Sequence, residues 1–213
     1  MTPAEQSRHA AEICALAPVV PVLVLDNAAI AADLARALVA GGLPALEVTL
    51  RTPAALDAIR AMSEVSGGIV GAGTLLTPAD VKAAKEAGAR FGVSPGATER
   101  LIDACAEHDL PLLPGAATAS EVMTLLERGY VVQKFFPAEA IGGAKALASL
   151  ASPLPQVRFC PTGGIGLRTA PDYLRLSNVL CVGGSWVAPK DLVRARDWVA
   201  IEALAREAAA LER

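Results

Sequence analysis

Short apolar runs return along this chain every 20–30 residues, at 18–25, 45–50, 68–74, 90–95, 110–115, 130–137, 156–164 and 178–184. That recurrence limits the possible folds more than any other feature. Each run is too short for a helix, is bounded by Gly or Pro, and is rich in Val, Ile, Leu and Phe, so each predicts a strand. Near-continuous apolar strands fit a parallel sheet covered on its outer face, since a half-exposed strand would alternate with polar residues.

The segments between the runs read as Ala-rich helices. One opens after Asp26-Asn27 and stops at Gly41-Gly42. The next starts with Thr52 as cap and Pro53 at the first helical position. Thr77-Pro78 repeats that start. Helices follow in TERLIDACAEH, ASEVMTLLERG and GGAKALASL, and a short one in LRTAPDYLRL is interrupted by Pro171. The chain closes on one long helix, DLVRARDWVAIEALAREAAALER. A further helix, AEQSRHAAEICALA, precedes the first strand. Eight βα units in 213 residues predict an α/β fold, a single (β/α)8 TIM barrel with an extra N-terminal helix. A doubly wound open sheet is the alternative. No Pro, Ser or charge-rich linker divides the chain, so residues 1–213 form one domain.

Composition removes several function classes. The hydrophobic fraction is 53% against 19% charged, which suits a large core and not a disordered chain. A net charge of −3 and 4% aromatic residues argue against nucleic-acid binding. Charges interrupt every apolar run before it could span a bilayer, and the N-terminus lacks a basic-then-apolar leader, so a soluble cytoplasmic protein is expected. Cys14, Cys105, Cys160 and Cys181 are widely spaced and read as small buried hydrophobes. The two histidines, His9 and His108, have no partner in sequence, which argues against a His-ligated metal and a Ser-His-Asp triad.

The chemistry therefore falls to other side chains. Of five lysines, only Lys134 is embedded in a strand run. A side-chain period of two puts Val132, Lys134 and Phe136 on one face and Gln133 and Phe135 on the other. If the first face is interior, burial favours the neutral amine, which can attack a ketone and form a Schiff base. A structural ion pair with a buried carboxylate is the competing reading. In Ala45–Arg51 the same period aligns Glu47, Thr49 and Arg51. Glu47 can then transfer protons, and Arg51 offers a planar fork for a carboxylate, unless the two serve only in ion pairs. Gly163-Gly164 and Gly183-Gly184-Ser185 follow the seventh and eighth strands, the usual phosphate site of such barrels. Gly71-Ala72-Gly73-Thr74 lacks the third glycine of a dinucleotide fingerprint, which excludes nicotinamide binding. Asp26 reads as a helix cap and Glu139 as a loop anchor.

The blocks PVVPVLVL, LVAGGLPALEVTLRT, IVGAGTLLTP, GVSPGATE, PLLPGAATASE, QKFFPAEAIGGAKAL, VRFCPTGGI and VLCVGGSW run in order from about residue 18 to 190. In them the chain resembles the bacterial 2-keto-3-deoxy-6-phosphogluconate (KDPG) aldolases, which also cleave 4-hydroxy-2-oxoglutarate. KFFPAE and RFCPTGG together are specific motifs. The resemblance implies a class I lyase on a (β/α)8 barrel, a homotrimer without metal or organic cofactor, acting on a small keto-acid phosphate in the Entner–Doudoroff pathway. It implies Lys134 as the Schiff-base lysine and Glu47 as the general acid/base. Arg51 and Thr74 would hold the pyruvyl end, and Pro95 and Phe136 would line the pocket. Thr162 would stand near the substrate hydroxyl, and Gly163, Gly164, Gly184 and Ser185 would hold the phosphate. The chain departs from the family at Ile141, where the family has a polar residue. Three readings compete: a phosphogalactonate aldolase of the opposite C4 preference, a phosphate-binding barrel isomerase, and a sugar-phosphate sensor that has lost its chemistry.

Overall fold

The computed structural model describes residues 1–213. It opens with α1 (Pro3–Cys14), then β1 (Val19–Leu23), α2 (Ala31–Ala40), β2 (Ala45–Thr49), α3 (Ala55–Ser63), β3 (Ile69–Gly73), α4 (Pro78–Glu86), β4 (Phe91–Val93) and α5 (Glu99–Glu107). The second half holds β5 (Leu112–Leu113), β6 (Gly115–Ala116), α6 (Ala119–Glu127), β7 (Val132–Phe135), α7 (Gly143–Ser149), β8 (Arg158–Pro161), α8 (Ala170–Leu174), β9 (Val182–Gly184), α9 (Lys190–Ala195) and α10 (Trp198–Ala209).

This is an α/β fold with a curled parallel sheet. Six strands pair in the order β5-β4-β3-β2-β1-β9 and three in the order β6-β7-β8. The run expected as one strand at 110–115 is split by Pro114, which has no N–H to give a ladder. Its carbonyl still accepts from Lys134 N at 2.8 Å, so the chain passes from one sheet to the other without leaving the layer. Bridges Phe159↔Val179 and Thr162↔Gly183 tie β8 to the β9 side.

Strand residues alternate between two cores. Leu46, Val48 and Phe135 face outward into a cluster of 49 buried residues beneath the helices. Val20, Ala45, Val93, Leu113 and Val132 face inward into a smaller cluster of 10, to which α1 contributes Ala10 and Cys14. Both faces are buried, which is why the strands read as continuous apolar runs.

Helix starts follow side-chain chemistry. Thr2, Thr77 and Thr118 form capping boxes with Glu5, Asp80 and Glu121, and Thr98 caps α5. Four expectations are corrected. Asn27, not Asp26, caps the turn before α2, accepting from Ala29 N at 2.9 Å. Thr52 does not cap α3; its hydroxyl donates to the Leu25 carbonyl, and α3 begins three residues later without a side-chain cap. The closing helix is two: Arg196 takes a left-handed φ of 56°, and Asp197 caps α10 by accepting from Ala200 N at 3.0 Å. Pro171 also interrupts nothing, since it sits in the first turn of α8, where a missing N–H costs little.

Buried polar atoms on α1 fix it across the sheet. Gln6 accepts from the Tyr130 hydroxyl at 2.8 Å, and Ser7 Oγ accepts from Val131 N and Val132 N at 3.0 and 2.9 Å. These bonds satisfy backbone groups at the start of β7 that have no ladder partner there.

Candidate active site

Two charged side chains meet inside the curl. β2 turns Glu47 and Thr49 inward, and β7 turns Lys134 inward; all three are buried. Lys134 Nζ lies 3.4 Å from Glu47 Oε1, joining strands 87 residues apart. Gln133 points the other way and is anchored by bonds from Nε2 to the carbonyls of Val122 (3.1 Å) and Tyr130 (2.9 Å). That anchoring fixes the face on which Lys134 emerges. The Phe136 ring centroid stands 5.1 Å from the ammonium, within reach of a cation–π contact.

Burial raises the Glu47 carboxyl above its usual range, and the Lys134 charge opposes that shift. The carboxyl is thereby moved toward neutrality, where a group can both take and give a proton. Space around it is tight. In the β2–β3 ladder Thr49 pairs with Gly73, and a Cβ added at Gly73 would fall 2.2 Å from Glu47 Oε1. Only a glycine there admits the carboxylate. The sequence carries a signal for this, because a glycine inside a strand marks a close approach, but it does not say what approaches.

Arg51, just past β2, is exposed, and its Nε donates to Thr74 Oγ1 at 3.2 Å. Thr74, just past β3, has φ 62°, a conformation a β-branched residue rarely takes. Pro95, past β4, is half-buried, and its carbonyl crowds Gly115, where a Cβ would come within 2.3 Å. Thr162 lies just past β8 and is buried; a Cβ at Gly183 would meet its Oγ1 at 2.2 Å. Gly163 and Gly164 take φ 108° and 80°. The loop after β7 locks onto them, with Ala138 N and Glu139 N donating to the carbonyls of Thr162 and Gly163 at 2.9 and 3.0 Å. Gly184 is buried and Ser185 exposed beyond β9. Nearly all of these residues lie at or just beyond the C-terminal ends of strands, and neighbouring ends are joined by the contacts given.

Glu139 is tied down by the Tyr173 hydroxyl, and Ile141, on the same short turn, packs on the outer core. His9 pairs with Glu12 on the surface at 3.2 Å, and His108 closes α5. All four cysteines are buried and free, as expected, but the wide spacing misleads in one respect: three of them are together. The ligand atoms of Cys14, Cys160 and Cys181 lie within 4.8 Å of one another, because α1 crosses the end of the sheet and delivers Cys14 to β8 and to the residue before β9. Nothing in the linear spacing announces that meeting.

The family model described as KDPG and KHG aldolase matches residues 10–204. The chain belongs to the KDPG and KHG aldolase family. Among curated members, the KHG/KDPG aldolase of Escherichia coli (strain K12) is 53% identical over 200 residues, covering 93% of this chain and 94% of that one. Among solved structures of KDPG aldolases, that of Zymomonas mobilis ZM4 with 3-phosphoglycerate superposes with a TM-score of 0.93 at 52% identity, covering 97% of this chain and 98% of that one. The KDPG aldolase of Legionella pneumophila, with pyruvate captured at low pH as a covalent carbinolamine intermediate, gives 0.91 at 43% identity, covering 94% and 98%. For a KDPG/KHG aldolase fold, a buried amine beside a carboxyl is the arrangement that amine-to-ketone addition needs: a nucleophile, and a proton carrier within reach of it.

Proposed function

We propose that the chain is a class I aldolase that cleaves 2-keto-3-deoxy-6-phosphogluconate into pyruvate and glyceraldehyde 3-phosphate. The buried Lys134–Glu47 pair, at 3.4 Å, is the observation that carries this reading. Lys134 as the free amine adds to the C2 ketone. Glu47 delivers the proton with which the carbinolamine loses water, leaving a protonated imine. Glu47, now a carboxylate, removes the C4 hydroxyl proton. The C3–C4 bond breaks, the aldehyde leaves, and the bonding pair passes into the iminium as an enamine. Protonation at C3 and hydrolysis release pyruvate and the free lysine. Arg51 and Thr74, joined at 3.2 Å, hold the pyruvyl carboxylate, and Pro95 and Phe136 wall the keto end. Thr162 meets the C4 hydroxyl. Gly163, Gly164, Gly184 and Ser185 present the backbone to the phosphate, where glycines allow close approach.

The nine strand segments read as one closed (β/α)8 barrel with an added N-terminal helix, supported by the Thr162↔Gly183 bridge and by the uninterrupted passage from β5 to β6. Residues 1–213 form its single domain. Leu76 and Met123 are large apolar side chains at 59% and 51% exposure, which supports covering surfaces in a homotrimer. No helix is long and apolar enough to cross a membrane. We place the enzyme in the cytoplasm, since a phosphorylated keto acid does not cross a bilayer unaided.

Relatives of about half identity carry phosphogluconate names, which favours that epimer over the galactonate one. Pyruvate release, read through lactate dehydrogenase, tests the assignment with the gluconate and galactonate epimers and 4-hydroxy-2-oxoglutarate as separate substrates. The highest kcat/KM is expected for the phosphogluconate. A higher value for the galactonate epimer overturns the substrate, and no pyruvate from any of the three overturns the aldolase.

A further inference from the structure

We propose that Cys14, Cys160 and Cys181 form a binding site for Cu(I), a soft d10 cation, held by three sulfurs at the end of the sheet that α1 crosses. The three ligand atoms come from distant segments, the end of α1, the middle of β8 and the residue before β9, and lie within 4.8 Å of one another. With metal–sulfur bonds of about 2.3 Å, three sulfurs around one ion stand about 4 Å apart, so closing on a cation takes less than about 1 Å of movement.

The donor set selects the ion. All three thiols are buried, and their neighbours in the inner core are Val20, Val93, Leu113 and Val132. No histidine belongs to the cluster, and the Thr162 hydroxyl lies 4.0 Å from the Cys160 sulfur. Zinc prefers a fourth ligand, whereas Cu(I) is satisfied by soft sulfur donors in low coordination. Binding breaks three S–H bonds, forms three Cu–S bonds and sends three protons to solvent, with no change of oxidation state. The resulting double negative charge has a counter-ion at hand. Cys160 is the register partner of Lys134, and both face inward. Glu47 lines the same small cavity as Cys14 and Cys160, so the ion sits beside the Lys134–Glu47 pair and draws on the Lys134 charge.

The closed position of α1 means that the ion enters when α1 lifts or while the chain folds. The test uses full-length reduced protein without oxygen, both as purified and refolded with Cu(I) present. Cu(I) is supplied in competition with a chromophoric bicinchoninate chelator, and the bound ion is read by X-ray absorption. One Cu(I) per chain with a three-sulfur shell is expected. Cys14→Ser and Cys160→Ser should each weaken binding about 100-fold, and Cys105→Ser, a buried thiol outside the cluster, should leave it unchanged. The absorption measurement on the unaltered chain does not depend on how the variants fold. No retained Cu(I) after refolding, a shell of nitrogen or oxygen, or loss of binding with Cys105→Ser alone overturns the proposal.

Discussion

Gly73 stands against the Glu47 carboxyl with no room for another atom: a Cβ at position 73 would lie 2.2 Å from Oε1, 2.6 Å from Cγ and 2.8 Å from Cδ. Its backbone is not in the left-handed region, so alanine there is conformationally acceptable and the effect is purely one of space. Gly73→Ala should therefore fold, and should push Glu47 away from Lys134. A displacement of about 1 Å at a reacting group costs about 100-fold in rate, which is the loss expected in kcat. Steady-state kinetics together with an unchanged far-UV spectrum check it; full activity would mean that Glu47 tolerates being moved.

Thr74 offers a trade of stability against binding. Its φ of 62° stores about 1–3 kcal/mol, and replacing it by glycine removes that strain at an entropic cost of about 0.5–1 kcal/mol. Thr74→Gly should stabilise the protein by about 1 kcal/mol in urea unfolding. It should also raise KM about 10-fold, because the hydroxyl that receives Arg51 Nε is lost. A variant that is less stable than the parent would contradict the strain.

The buried Glu47 gives stability a pH dependence. Burial holds its folded-state carboxyl above the ordinary value of 4.5, with Lys134 opposing. Between 4.5 and the higher folded value, the folded state holds more protons than the unfolded one. Stability from the neutral acid is thus complete below pH 4.5 and is lost as pH rises through the folded value. Glu47→Gln keeps the neutral shape and removes the loss, so its urea midpoint should gain on the parent's between pH 4.5 and 7. A constant difference across that range would show that the carboxyl is not raised.

Ser7 anchors α1 to the sheet by accepting from two backbone N–H groups, of which Val132 N is buried. Ser7→Ala leaves both without an acceptor and should cost about 2 kcal/mol of unfolding free energy. The same variant should speed amide hydrogen exchange at Val131 and Val132. Unaltered exchange there would mean that water replaces the hydroxyl at no cost.

The parts of this fold that could be read in the sequence are those set by local pattern. Lys134 stood out because an ammonium among Val132, Phe135 and Phe136 breaks an apolar run, and a period of two assigned its face. Glu47 was legible in the same way. Arg51 shares that period, yet it lies beyond the last residue of β2 and is exposed, since alternation constrains a side chain only while the ladder lasts. The Thr77-Pro78 start was legible because the cap and its partner lie three residues apart, whereas the same chemistry at Thr98 and Thr118 emerged only in the structure. The break at Arg196 was missed although its signal is local, since Asp197 caps α10 from three residues away within a stretch read as one helix. Long-range events were not legible. The end of α3 nearest Thr52 was misread because the Leu25 carbonyl, 27 residues away, takes its hydroxyl. The meeting of Cys14 with Cys160 and Cys181 depends on where α1 crosses the sheet, which no spacing encodes.

Covalent chemistry at Lys134 is the centre of the account, and trapping tests it most directly. The protein is saturated with pyruvate, reduced with borohydride, digested, and read by peptide mass spectrometry. The account predicts a reduced three-carbon adduct on Lys134, absent in Lys134→Met and in samples without pyruvate. Folded protein with no adduct on any lysine, or an adduct on Lys82, Lys85, Lys145 or Lys190 instead, would contradict it.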